Sequence, residues 1–151
     1  MRTIFKNSKE DSLGFLLWQI TTTWQRQIKL ELEKLELSHS AFVILASLIW
    51  FKEQNQKVTQ TTIINHSKLD KMTVSKSLKT LIQKNLVFRK ENEKDTRAKN
   101  ITLTKEGFTM AIKAIAIVEE IDYHFFKKLN AEEQTQLKKI FNTLKDITDK
   151  I

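Results

Sequence analysis

Residues 59–107 read TQTTIINHSKLDKMTVSKSLKTLIQKNLVFRKENEKDTRAKNITLTKEG, and this stretch decides the fold. Thr59 and Asp70 are residue types that cap helix N-termini, so we expect one helix from about Thr59 to Ser67 and a second helix after Asp70. The side chains expected to face the core recur at helical spacing in both helices: Ile63, Ile64, Val74, Leu78, Leu81 and Ile82.

Two strands follow the second helix in this prediction. Residues 86–90 (LVFRK) and 99–104 (KNITLT) have strand-like composition, with Ile101 and Leu103 expected inside and Asn100 outside. The loop between them, ENEKDTRA, contains no apolar residue except Ala98, so we expect it to project from the domain. Helix, turn, helix and a β-hairpin with a projecting loop is the order of a winged helix-turn-helix.

Helical spacing also predicts helices on both sides of this stretch. Residues 12–36 form one long helix, with Leu13, Leu17 and Ile20 on its inner face, and either Ser38 or Ser40 caps the next helix. After Thr104, residues 105–151 are predicted to form two helices. The first is apolar nearly all round, which indicates a subunit interface. The second starts at the capping box formed by Asn130 and Glu133, and its predicted inward residues are Leu137, Ile140, Phe141, Leu144, Ile147 and Ile151.

The predicted fold is therefore mainly α with a small two- to three-stranded β-wing. We interpret residues 1–151 as one domain, in which residues 12–36 and 105–151 are dimerisation helices and residues 38–104 are the winged helix-turn-helix region.

Composition excludes several functional classes. The chain of 151 residues has no cysteine, which excludes disulfides, thiol redox sensing and Cys-ligated zinc. It has no Gly-rich phosphate loop, no metal-ligand spacing and no nucleophile–base signature, so we expect neither an enzyme nor a cofactor. No apolar run is long enough to span a bilayer and the N-terminus lacks a signal-peptide core, which predicts a cytoplasmic protein without membrane contact.

The net charge of +8 is concentrated in one third of the chain. Residues 57–106 contain twelve Lys or Arg against five Asp or Glu, whereas the rest of the chain contains fourteen against thirteen. Such asymmetry is typical of a surface that binds a polyanion, although a basic solvated face is the alternative.

Double-stranded DNA is the polyanion that the helix after Asp70 suits. Opposite its apolar stripe this helix carries Lys, Ser and Thr, which can bond to phosphates and base edges in a major groove. In the wing, Arg97 could enter a minor groove and Asp95 could hold its guanidinium. An ordinary surface helix and a merely braced loop are the alternatives. The candidate DNA-binding residues are Lys71, Met72, Thr73, Ser75, Lys76, Lys79, Lys94, Asp95, Arg97 and Lys99.

This succession resembles the MarR family of bacterial transcriptional regulators. Residues 37–45 (LSHSAFVIL) are similar to the opening of the family's second helix, residues 58–63 (VTQTTI) to its third, and residues 69–78 (LDKMTVSKSL) to its recognition helix. Residues 84–107 are similar to its wing and the exit into a dimerisation helix. Three positions depart from the pattern: Ser67 is commonly apolar, Lys68 is usually small, and Thr96 is often a second arginine.

The resemblance implies a homodimeric, sequence-specific regulator that binds a pseudo-palindromic operator and is released by a small ligand. Repression is the expected output, because no separate activation segment is visible. A possible aromatic effector would lie near Phe15, Trp18, Trp24, Phe42 and Trp50, which are otherwise core residues. The alternatives are a winged-helix module that binds proteins rather than DNA, and a metal-responsive regulator using the scattered His39, His66 and His124.

Overall fold

The computed structural model of the chain describes residues 4–91 and 99–148. These residues form two compact units, one within residues 1–118 and one within residues 119–151. After a short 3-10 turn, Lys9–Asp11, the elements are α1 (Leu13–Glu33), α2 (His39–Glu53), α3 (Gln60–Ser67), α4 (Lys71–Gln83), β1 (Val87–Glu91), β2 (Lys99–Leu103), α5 (Lys105–Phe126) and α6 (Ala131–Thr148). The prediction of a mainly α, winged helix-turn-helix fold is confirmed.

The helices begin where capping chemistry predicts. Of the two serines proposed for α2, Ser38 is the cap, because its Oγ accepts the N–H of Ala41 at 3.1 Å. In the second unit, Asn130 and Glu133 form the predicted capping box, with reciprocal bonds of 2.8 and 3.0 Å. The side chains that accept a backbone N–H at the starts of the other helices are Ser12, Thr59, Asp70 and Thr104.

Several helix ends use a left-handed residue that is not glycine. Among the described residues, Glu36, Asn55, Lys68 and Asn85 have φ of 56°, 54°, 63° and 59°. Each closes or follows a helix and turns the chain toward the next element. Both glycines of the sequence lie inside helices instead, Gly14 in α1 and Gly107 in α5.

The core of the first unit is built around α2, which contacts α1, α3, α4 and β2. The side chains that meet there are apolar, and the largest are fully buried: Ile28, Leu32, Ile44, Leu45, Ile63, Val74, Leu78, Leu81 and Val87. The helix-turn-helix pair, α3 and α4, is therefore held on the central helix by its own apolar stripe.

The prediction for α4 was wrong at one position of this stripe. Ile82 is 37% exposed, and Ser77 is buried instead. The reason is a hydrogen bond of 2.7 Å between the hydroxyls of Ser77 and Ser40, which draws this side of α4 toward α2.

The wing sheet has two antiparallel strands, in a register that pairs Val87 with Leu103 and Glu91 with Lys99. A β-bridge between Thr59 and Asn100 adds a third, very short segment at its edge. Asn100 is therefore buried, and the prediction that it faces outward was wrong, because the bridge covers that edge of β2.

Several apolar residues that the sequence placed inward are exposed on the single chain. Leu13, Leu17 and Ile20 in the N-terminal half of α1 are exposed, whereas Ile28 and Leu32 in its C-terminal half are buried. In α6 the exposed residues are Ile140, Phe141 and Leu144, while Leu137 is half-buried. The side chains of Ile147 and Ile151 lie outside the described residues. The chain by itself does not bury these faces.

Within the described ranges, no helix is both long enough and apolar enough to cross a membrane.

Candidate nucleic-acid interface

Helix α4 has one buried face and one accessible face. Val74, Leu78 and Leu81 are fully buried against the core. On the accessible side, Met72 is 83% exposed. All six residues that the sequence assigned to DNA binding on this helix are accessible, the lysines exposed and the hydroxyl residues half-buried: Lys71, Met72, Thr73, Ser75, Lys76 and Lys79. The period of 3.6 residues brings them together without help from another element.

Asp70 fixes the first turn of α4. Its Oδ1 accepts the backbone N–H of Thr73 at 2.8 Å, and its Oδ2 accepts the Thr73 hydroxyl at 2.7 Å. These bonds, the backbone one foremost, lower the pKa of the Asp70 carboxyl. Asp70 is therefore ionised at neutral pH, where its charge complements the positive end of the helix.

Gln60, the first residue of α3, links α4 to the wing. Its Nε2 donates to Ser75 Oγ at 2.7 Å, and its Oε1 accepts from the Arg89 guanidinium at 3.3 Å. Neither Gln60 nor Arg89 was singled out from the sequence. They lie 15 residues before and 14 residues after Ser75, and no local pattern signals a contact over such separations.

The other side of α4 is tied to the α1–α2 connection. Besides the bond between Ser40 and Ser77, the Lys84 ammonium donates to the backbone oxygen of Glu36. A cleft of about 480 Å³ lies between these elements, lined by hydroxyls together with Lys76 and Lys84. Three neighbours, α2, α3 and the α1–α2 connection, thus set the position of the accessible face.

In the wing, the structure describes only the strands. Lys99 begins β2 and is exposed opposite Glu91. The predicted contributions of Lys94, Asp95 and Arg97 lie outside the described residues and stay predictions.

The five aromatic residues proposed for an effector lie in three places. Trp24 and Phe42 flank His39, with ring centroids 5.6 and 6.3 Å from it. Trp50 stacks on His66 at 5.2 Å. The remaining two, Phe15 and Trp18, lie on the exposed N-terminal half of α1. A ligand pocket that joins them stays a prediction.

The three histidines have different neighbours. His39 and His66 contact aromatic rings, and His124 lies on α5 with its Nε2 3.8 Å from Glu120 Oε1. Across the described part of the chain, no three Asp, Glu or His side chains converge as metal ligands do.

Sequence comparisons identify the family of this fold. Residues 31–123 match the family model described as "ArnR1-like, winged-helix domain". The chain is 37% identical over 115 residues to the HTH-type transcriptional regulator YdcH of Bacillus subtilis, covering 76% of this chain and 78% of that protein. It is 30% identical over 135 residues to the organic hydroperoxide resistance transcriptional regulator of the same organism, covering 89% and 88%.

Solved structures with the same architecture include regulators bound to DNA. The S. aureus MepR–DNA complex superposes with a TM-score of 0.83 at 25% identity, covering 93% of this chain and 99% of that chain. A complex of a mutant E. coli MarR with operator DNA (TM-score 0.79, 20% identity, 95% and 99% covered) shares the fold. Bordetella bronchiseptica BpsR, whose DNA binding is regulated by 6-hydroxynicotinic acid, shares the fold as well (TM-score 0.83, 18% identity, 94% of this chain and 99% of that chain covered). The relatives are transcriptional regulators and not enzymes, and this chain belongs to the MarR family of winged helix-turn-helix transcriptional regulators.

Proposed function

We propose that the chain is a homodimeric repressor that places α4 of each copy in a major groove of a pseudo-palindromic operator. The observation that carries this proposal is the accessible face of α4, where three lysines and two hydroxyls oppose a fully buried apolar face. The MepR–DNA complex, at 25% identity and a TM-score of 0.83, supports it.

Each residue of this face has a role that follows from its chemistry. Lys71, Lys76 and Lys79 bind phosphates or guanine edges, and the exposed Met72 side chain packs against apolar base surface such as a thymine methyl group. In the wing, Lys94 and Lys99 bind phosphates, Arg97 enters the minor groove, and Asp95 orients it. Phosphate contacts position the protein, whereas base contacts select the sequence.

A second copy of the chain is the proposed cover for its exposed apolar surfaces. A contiguous exposed apolar surface marks an interaction site. Two copies related by a twofold axis would present their α4 helices to major grooves about 34–36 Å apart, which requires a pseudo-palindrome. Binding across a promoter would then block transcription. The exposed apolar residues that we assign to this interface are Leu13, Phe15, Leu16, Leu17, Trp18 and Ile20 on α1, Ile112 and Tyr123 on α5, and Ile140, Phe141 and Leu144 on α6.

Release by a small aromatic acid is a further part of the proposal. It is supported by a half-buried aromatic group, in which Trp24 of α1 and Phe42 of α2 flank the ring of His39. Salicylate is the probe we would titrate into the preformed complex. Release at millimolar concentration, weakened in Trp24→Ala, supports the proposal, and an unchanged complex contradicts it.

Selection of a genomic DNA library at two salt concentrations tests DNA binding. We expect one pseudo-palindromic site to be enriched and to survive the higher salt. Removing Lys76 and Lys79 together should lower the salt slope of binding by about 2, because each phosphate contact contributes about 1. Lys29→Ala, which removes one exposed positive charge from α1, is the control and should leave the slope unchanged. Uniform binding that disappears with salt would refute a specific operator, and binding to proteins instead would favour the interaction-module alternative.

Sedimentation tests the dimer. Leu17→Glu places a charge on the exposed apolar half of α1 and should give monomers that bind DNA weakly, because a buried unpaired charge is costly. Leu30→Glu is the matched control, since Leu30 is 57% exposed and lies about 140° around α1 from Leu17. Equal dimerisation by both variants would contradict the proposed interface.

A further inference from the structure

The two hydroxyls near the start of α4 differ in what they can offer to DNA. A hydroxyl has one proton to donate and two lone pairs to accept with. A hydroxyl that donates to a protein neighbour can only accept hydrogen bonds from DNA. A hydroxyl that accepts from a protein neighbour can still donate its proton to DNA. The neighbours of Thr73 and Ser75 therefore decide their chemistry.

Thr73 uses its proton within the protein. Its Oγ1 donates to Asp70 Oδ2 at 2.7 Å, while Asp70 Oδ1 accepts the Thr73 backbone N–H. An ionised carboxylate can only accept, so the direction of this bond is fixed. Toward solvent, Thr73 presents lone pairs.

Ser75 is in the opposite situation, and Arg89 is the reason. A guanidinium has only donors, so the atom of the Gln60 amide that faces Arg89 must be the oxygen. The Gln60 Nε2 group therefore faces Ser75, and an amide nitrogen can only donate, so Ser75 Oγ accepts at 2.7 Å. The Ser75 hydroxyl makes no other hydrogen bond with the described residues, so its proton is available to a ligand.

We propose that Asp70 and Gln60 are positioning residues that give the recognition hydroxyls opposite polarity, so that Thr73 accepts hydrogen bonds from DNA and Ser75 donates them. This inference rests on the proposed function, in which α4 enters a major groove.

The polarity restricts the atoms that each hydroxyl can contact. Ser75 bonds to acceptors on base edges, which are guanine N7 and O6, adenine N7 and thymine O4. Thr73 bonds to the amino group of adenine or cytosine, and it cannot bond directly to a phosphate oxygen, which has no proton to give. The two hydroxyls therefore read different chemical groups although they are two residues apart.

Gln60→Glu is the decisive variant because it reverses the polarity of Ser75 while keeping the shape of the side chain at position 60. The carboxylate has the shape of the amide and keeps its bond to Arg89, but it can only accept. Ser75 would then donate to the carboxylate of the Gln60→Glu variant and present lone pairs to DNA. The added charge lowers affinity for all DNA, so the readout is base preference. Gln83→Glu, at the exposed end of α4, adds the same charge without contacting Ser75 and is the control.

The experiment selects from a randomised duplex library with the wild type, Ser75→Ala, Gln60→Glu and Gln83→Glu. Positions where Ser75→Ala loses preference are those that Ser75 reads. At these positions, Gln60→Glu should move the preference toward a base with an amino group, by roughly two- to tenfold in relative affinity. Gln83→Glu should bind more weakly with the preference of the wild type. An unchanged preference in Gln60→Glu, or no position sensitive to Ser75→Ala, would overturn the inference.

A measurement without DNA separates this inference from the proposed function. In the ¹⁵N spectrum, Ser75→Ala and Arg89→Met should each shift the side-chain NH₂ signals of Gln60. Those of Gln134, which donates to backbone oxygens in the second unit, should stay in place. If the wild type enriches no DNA site, the proposed function fails, while the spectra still test the hydrogen bonds of Gln60 on which the polarity of Ser75 depends. Gln60 signals that are insensitive to both substitutions would overturn the inferred polarity.

Discussion

Replacing Gly107 with alanine should destabilise the first unit, because no space exists for a methyl group. A β-carbon built on Gly107 would lie 1.8 Å from the backbone oxygen of Leu86 and 2.7 Å from its carbonyl carbon. Non-bonded heavy atoms have their best separation near about 3.5 Å, so the distance is more than 1 Å too short. The obstacle is backbone, which cannot rotate away as a side chain can.

Relief of this contact would break the hydrogen bonds that hold the start of α5. Thr104 donates its N–H to Leu86 O at 3.0 Å and its hydroxyl to Asn85 O at 2.7 Å. A shift of more than 1 Å would lengthen both beyond hydrogen-bond range. Overpacking costs about 1–3 kcal/mol and each lost bond about 0.5–1.5 kcal/mol, while alanine regains up to about 1 kcal/mol of helix propensity. We expect a net loss of about 1–5 kcal/mol in the free energy of unfolding.

Urea unfolding followed by circular dichroism at fixed protein concentration measures this loss. The chain supplies its own control. Gly14 lies in α1 with no atom within 4 Å of a built β-carbon, so Gly14→Ala should change stability by less than about 1 kcal/mol and in the favourable direction. A Gly107→Ala protein as stable as the wild type would show that the end of α4 and the start of α5 are not held together as described.

Three further predictions concern α4 and the turn before it. Lys68→Gly should raise the free energy of unfolding by about 0.5–1 kcal/mol, because Lys68 has φ 63°, and a lower thermal midpoint would contradict this. The pKa of Asp70 is lowered in the folded protein, so its contribution to stability is present above about pH 4 and is lost as the pH falls through the folded value. In Asp70→Asn, the free energy of unfolding should therefore depend less on pH in that range. An unchanged pH dependence would refute the assignment. Ser77→Ala should destabilise by about 0.5–1.5 kcal/mol, since it removes the hydrogen bond between Ser77 and Ser40, and an unfolding midpoint equal to that of the wild type would contradict the contact.

The helix starts could be predicted because capping is short-range chemistry. Thr59, Asp70 and Thr104 each accept the backbone N–H of the residue three positions later, and the sequence alone contains that relation. The accessible face of α4 could be predicted for the same reason, because helical period fixes which residues share a side. The overall order of elements followed from these local signals.

The mistakes and omissions came from contacts between distant residues. Ser77 replaced Ile82 in the core because a hydroxyl 37 residues away bonds to it. Asn100 turned inward because the segment at Thr59 covers its edge of the sheet. The role of Gln60 could not be predicted, because its hydrogen-bond partners belong to two other elements, α4 and β1. Periodicity describes one element at a time and carries no information about these pairings.

The left-handed residues at the helix ends bear on how this protein can evolve. Asn55 and Asn85 tolerate that conformation, but Glu36 and Lys68 carry a β-carbon that it disfavours by roughly 1 kcal/mol. Each of these two positions offers a compensating substitution to glycine outside the buried core and outside the accessible face of α4. Changes on α4 that alter DNA preference but weaken the fold can thus be tolerated after one such exchange. Two stabilising exchanges to glycine, at Glu36 and at Lys68, can therefore offset destabilising changes on α4 that alter the preferred DNA sequence.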